Sequence, residues 1–188
     1  YYNKPQQKGM VAHFSAIADA TDLPVLLYNV PSRTVADMLP ETVAELSTHP
    51  KIIGLKDATG DMSRLKATQK LVDDDFLLLS GDDLTGCEFL ANGGHGVISV
   101  TANVAPKQMA DMCNAARLRN FLLAEKIDKQ IVGLHSALFI EPNPVLPKWA
   151  LHKMGLINSA FLRLPLVESE LVSQNHIEQV MRSSGVLS

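Results

Sequence analysis

The chain is poor in the residues that make a functional site easiest to read. Its 188 residues include two cysteines, one tryptophan and 5% aromatic side chains. Cys87 and Cys113 lack metal-ligand spacing and are too few for a disulfide framework, so they read as buried thiols in a reducing, cytoplasmic setting. The histidines (His13, His49, His95, His135, His152, His176) form no HxH or HExxH pair, and no metal site is expected. A net charge of −3 leaves no basic footprint for nucleic acid and no polybasic patch for a membrane surface. No apolar run approaches membrane-spanning length, and no leader sequence is recognisable. Gly93-Gly94-His95-Gly96 resembles a phosphate loop only superficially, because it runs into a strand whereas phosphate cradles open a helix. Asp82 and Asp83 are too few carboxylates to suggest a divalent cation, and one of them reads as a cap for the following helix.

What is present is an alternation of short apolar runs and helical patterns, in a chain with 46% hydrophobic and 20% charged residues. Strands are expected at 25–30, 51–56, 76–80 and 97–100, each followed by a helix. Val11, Phe14, Ile17 and Ala18 share one face of a helix over 7–20, Pro40 opens a second helix, and others are read over 62–72 and 84–91. After Pro106 the pattern turns helical, with helices near 106–117, 120–137, 144–154 and 169–183. Apolar runs in a βα repeat predict parallel strands buried on both faces, joined by right-handed crossovers. Four such units make half of an eightfold repeat, so residues 1–105 read as half a barrel and 106–188 as its last helix plus a helical region. The opening Tyr1-Tyr2-Asn3-Lys4-Pro5 reads as the middle of a longer protein.

Chemistry in such folds sits at the C-terminal ends of the strands. Lys56 ends Lys51-Ile52-Ile53-Gly54-Leu55-Lys56, and an amine buried among apolar neighbours loses its charge more readily and attacks carbonyl carbons. The bland alternative is a strand-end lysine that snorkels to water. Tyr28 lies in the apolar run 25–30, where its hydroxyl needs a buried partner or does chemistry. Arg33 follows Pro31 in a loop, and its guanidinium suits bidentate grip of a carboxylate. Gly81 and Ile98 fall at or just beyond the ends of the third and fourth strands.

Taken as a set, Tyr1-Tyr2-Asn3-Lys4-Pro5, Tyr28-Asn29-Val30-Pro31-Ser32-Arg33-Thr34, Ile53-Gly54-Leu55-Lys56-Asp57-Ala58-Thr59-Gly60, Leu79-Ser80-Gly81-Asp82-Asp83, Gly94-His95-Gly96-Val97-Ile98-Ser99-Val100-Thr101 and Glu141-Pro142-Asn143-Pro144 resemble the bacterial 4-hydroxy-tetrahydrodipicolinate synthase (dihydrodipicolinate synthase) family. The resemblance implies an α/β fold: the C-terminal half of a (β/α)₈ TIM barrel, strands 5–8, followed by a C-terminal helical extension. It implies a class I aldolase-type lyase of lysine (diaminopimelate) biosynthesis. Such an enzyme holds pyruvate as a Schiff base and condenses it with aspartate semialdehyde, using no cofactor. By the same match Lys56 is the imine-forming residue, and Tyr28 and Tyr2 belong to the proton relay, Tyr2 being lent across a dimer interface. Arg33 binds the carboxylate of the semialdehyde, while Gly81, Ile98 and Asn143 line the site. Tyr1 lies beside the site at which lysine regulates the family, and the expected assembly is a homotetramer of tight dimers. The sister aldolases, N-acetylneuraminate lyase and the 2-keto-3-deoxy sugar-acid aldolases, share the lysine and the YNxP tyrosine. Arg33 argues against them, because their aldehydes carry no carboxylate at that point. The family's relay threonine precedes Tyr1 in this match, so a piece limited to these residues is expected to be inactive.

Overall fold

The computed structural model describes residues 1–187. Chain contacts divide them into two units, Tyr1–Ile98 and a second from Ser99 onward.

The first unit is built on four parallel strands in sequence order: β1 (Val25–Asn29), β2 (Ile52–Asp57), β3 (Leu77–Ser80) and β4 (Gly96–Val97). Register pairs Tyr28 with Lys56 and Lys56 with Leu79, so these three point to one side of the sheet. The intervening pairs, Leu27 with Leu55 and Leu55 with Leu78, point to the other side. Helices α1 (Gln7–Asp19), α3 (Pro40–Ser47), α4 (Met62–Gln69) and α5 (Gly86–Ala91) accompany the strands, and a short α2 (Pro31–Thr34) follows β1 directly. Met10, Val43, Leu46, Leu65 and Phe89 from these helices join Leu27, Leu55 and Leu78 in one core. Each such buried side chain contributes about 1.5–3 kcal/mol of transfer free energy.

The other side is open. Leu26 and Leu77 are each 37% exposed, Ile98 44% and Tyr28 47%. The expectation of strands buried on both faces is therefore corrected: among the described residues, helices seal one face only. The fourth strand is also shorter than 97–100. Val100 has already turned to helical dihedrals as the cap of α6 (Thr101–Val104), although the Ile98 N–H still donates to Ser80 O at 2.8 Å. The helix after β3 starts late because Asp82 accepts from the Thr85 N–H and hydroxyl, closing a turn first. Both cysteines are partly buried, not fully buried, and neither is in a disulfide.

The second unit is helical: α6, α7 (Pro106–Arg117), α8 (Phe121–Ala137), α9 (Val145–Lys153) and α10 (Leu171–Ser183). Met109, Met112 and Ala116 on α7 and Ile131 and Leu134 on α8 are buried, as spacing of three and four residues requires of a packed helix pair. α10 lies close on α8 at Gly133, where a Cβ would meet Val180 Cγ1 at 3.1 Å. No helix among the described residues is long and apolar enough to cross a membrane.

Candidate active site

Alternation along β1 and β2 delivers Tyr28 and Lys56 side by side on the open face. The Lys56 Nζ stands 4.1 Å from the centroid of the Tyr28 ring, a cation–π distance that leaves the amine beside a phenol and facing solvent. Lys56 is half-buried, which corrects the expectation of burial among apolar neighbours. Its flank is made by Gly81: a Cβ there would fall 2.7 Å from Lys56 Cε and 2.9 Å from Ala58 Cβ. A side chain at 81 would have to push the Lys56 stem or Ala58 aside. One layer below, Gly54 lets Leu26 and Leu77 close over the sheet, since a Cβ at 54 would meet Leu26 Cδ1 at 2.8 Å. The amine thus stands on an apolar floor.

Arg33 sits on α2, immediately past β1, with an exposed side chain. The segment is tightly wound, and Val35 closes α2 at φ 57°, a left-handed conformation that a β-branched residue adopts only under constraint. Ile98 lies beyond β4, beside Ser80. Tyr1 and Tyr2 are 86% and 87% exposed. Tyr1 lines a cleft of about 420 Å³ that opens beside β1, shared with His13, Phe14, Tyr28 and Met38, and neither Tyr2 nor Lys56 lines it. Asn143 belongs to the second unit and is partly buried, before a cis peptide to Pro144.

Behind the Tyr28–Lys56 pair, on the covered face, lies a polar network that motif reading did not single out. Its centre is Arg64 on α4, with its side chain 13% exposed. The Arg64 Nε donates to Asp57 Oδ2 at 3.2 Å, Nη1 to Asp37 Oδ2 at 3.1 Å and Nη2 to the Met38 carbonyl at 2.6 Å. Asn29, 2% exposed, donates to Asp37 Oδ1 at 2.9 Å and accepts from the Met38 N–H at 3.0 Å. The Thr59 N–H satisfies Asp57 Oδ1 at 2.8 Å. α4 is itself capped by Asp61, whose carboxyl is held below its ordinary value by hydrogen bonds from the Ser63 hydroxyl and N–H. The sequence signal for this network is faint. It consists of Asn29 and Asp57 as polar residues ending apolar strands, and an arginine in the first turn of a helix.

A lysine at the C-terminal end of a parallel strand, flanked by a tyrosine and a glycine, defines a parallel α/β fold with an amine where such folds place their chemistry. Comparison with known proteins narrows this. A model of the Dihydrodipicolinate synthetase family matches residues 1–184. The 4-hydroxy-tetrahydrodipicolinate synthase of Pseudoalteromonas atlantica is 80% identical over 188 residues, covering 100% of this chain and 64% of that protein. That of Psychromonas ingrahamii is 59% identical over 167 residues, covering 89% and 57%. Among solved structures, a chloride-inhibited dihydrodipicolinate synthase from Acinetobacter baumannii complexed with pyruvate superposes with a TM-score of 0.96. It is 42% identical and covers 100% of this chain and 64% of its own. The Thermotoga maritima dihydrodipicolinate synthase also gives 0.96 at 39% identity, with the same two shares. The chain belongs to the dihydrodipicolinate synthetase family. It spans about 64% of the length of the relative from Pseudoalteromonas atlantica. The observed four-stranded α/β repeat with a helical C-terminal region agrees with the expected second half of a (β/α)₈ barrel.

Proposed function

We propose that the protein carrying this chain is a Schiff-base lyase that condenses pyruvate with aspartate semialdehyde to give 4-hydroxy-tetrahydrodipicolinate, for lysine biosynthesis in the cytoplasm. The observation that carries the reading is the Lys56 amine held 4.1 Å from the Tyr28 ring on the open face of the sheet. Neutral Lys56 attacks the ketone carbon of pyruvate, and loss of water leaves a protonated imine. That cation withdraws electrons from the methyl group, so a proton leaves and an enamine forms. The enamine carbon then bonds to the aldehyde carbon of the second substrate, whose oxygen takes a proton, and that substrate's own amine attacks the imine carbon and displaces Lys56, closing the ring. Tyr28, with Tyr2 lent by a partner subunit, carries the protons. Arg33 holds the semialdehyde's carboxylate through charge-assisted hydrogen bonds. Gly81 gives the lysine stem room, Ile98 and Asn143 line the substrate space, and Tyr1 belongs to a regulatory site.

The reading includes a homotetramer of tight dimers, no cofactor, and a barrel half over 1–105 with a helical region over 106–188. Residues 1–188 expressed by themselves are expected to be inactive, because the face bearing Tyr28 and Lys56 is uncovered.

The test is borohydride reduction in the presence of pyruvate, read by intact mass. The native protein should gain one reduced pyruvate adduct. Lys56→Ala should gain none, and Lys56→Arg none either, since a guanidinium stays protonated. An adduct on either variant removes Lys56 from the nucleophile's role.

A further inference from the structure

We infer that Arg64 is a positioning residue: its guanidinium ties the two strand ends bearing Tyr28 and Lys56 to the 31–38 segment bearing Arg33, and so sets the site's reach for its second, carboxylate-bearing substrate. The inference rests on the proposed reaction.

The geometry has three parts. First, Asn29 and Asp57 are register partners at the ends of β1 and β2, one residue beyond Tyr28 and Lys56 and on the opposite face. Whatever fixes the covered pair fixes the direction of the open pair, because neighbouring side chains on a strand share one backbone. Second, Arg64 reaches both halves of the site at once. Its Nε holds Asp57, while Nη1 and Nη2 hold the side chain of Asp37 and the carbonyl of Met38, 27 and 26 residues away in sequence. A planar fork does this with little entropy lost per bond, and an ammonium does not. Third, the segment it holds is wound against its own preference. Val35 at φ 57° closes the short α2 that carries Arg33, and such backbone persists only where the surroundings over-determine it. The restraints include Asn29 on Asp37 and Met38, Gln7 on the Asp37 carbonyl, and Arg64, which alone of these also holds the end of β2.

Removing the guanidinium leaves the Asp37 and Asp57 carboxylates across from each other without their shared cation. The 31–38 segment then keeps its Asn29 and Gln7 bonds but loses its tie to the end of β2, so it can shift relative to Lys56 and carry Arg33 with it. Arg64 touches no reacting atom in this scheme, so its signature is a split between substrates and not a uniform loss.

The experiment compares the full protein with its Arg64→Gln and Arg64→Lys variants. Pyruvate-adduct formation, the KM for each substrate and the folded fraction by circular dichroism are all measured. The native adduct is measured first: its absence sinks the functional reading itself, whereas its presence makes the rest a test of Arg64 alone. Arg64→Gln should still form the adduct, with KM for pyruvate within a few-fold of native. Its kcat/KM for aspartate semialdehyde should fall by about 10²-fold, the scale of a misplacement near 1 Å. Arg64→Lys, which keeps the charge but holds one group at a time, should fall in between. Where Arg64→Gln does not fold, Arg64→Lys decides by the same criterion. A folded variant with semialdehyde kinetics within twofold of native overturns the inference. So does a loss that is equal for both substrates and tracks the folded fraction, since that is what a purely structural arginine would give.

Discussion

The two faces of the four-stranded sheet are lined by alternate residues of the same strands, yet they are governed by different physics. On the covered face Leu27, Leu55 and Leu78 are each at most 3% exposed and pack against helices, and the polar groups Asn29 and Asp57 are tied into hydrogen bonds. On the open face Tyr28, Lys56, Leu77 and Ile98 retain a third to a half of their surface or lie beside residues that do. One residue's step along a strand therefore separates a group whose loss should cost stability from a group whose loss, on the proposed function, should cost chemistry. The comparison also explains why Gly54 and Gly81 matter. Both stand where a side chain would strike a neighbour that the open face needs in place.

The sharpest way to break this comparison is to change each face separately. Tyr28→Phe keeps the ring beside Lys56 and deletes only the hydroxyl. It should lower kcat by about 10²–10⁴-fold, the usual range for a lost acid–base group. The melting temperature should stay nearly unchanged. Native turnover in this variant would return Tyr28 to a packing role.

On the covered face Leu55→Ala should cost about 2–5 kcal/mol of folding stability, as buried leucines do when a cavity remains. Its open-face counterpart Leu77→Ala, already 37% exposed, should cost well under half of that. Equal losses in a denaturant titration of the two variants would show that the open face is covered in solution by something further.

Arg33→Ala should leave the pyruvate adduct intact while weakening use of the semialdehyde. A charge-assisted hydrogen bond contributes about 1.5–3 kcal/mol, or roughly one to two decades in kcat/KM. Unchanged semialdehyde kinetics would take Arg33 out of the site. The same loss in Arg33→Ala and Arg64→Gln, without addition in the double variant, would tie the two arginines to one function.

Much of this was legible in the residues because it is local. The apolar runs at Val25–Asn29 and Ile52–Asp57, the proline opening α3 and the glycines between elements determine which segments become strands and helices. The motif around Lys56, Tyr28 and Arg33 determines which chemistry to look for. Local pattern carries no information about distances between segments far apart in sequence, and there the tertiary structure decided. It stopped β4 at Val97, short of α6 at Thr101. It covered one face of the sheet and left the other open, although apolar residues occupy both. It seated Gly81 against the Lys56 stem, a contact across adjacent strands that no spacing rule announces. It placed Arg64 between Asp37 and Asp57, pairing charges that in the sequence look like ordinary solvated side chains. The physical reason is common to all four: strand and helix propensity arise within a few residues, whereas packing and charge pairing depend on where the folded backbone brings distant residues together.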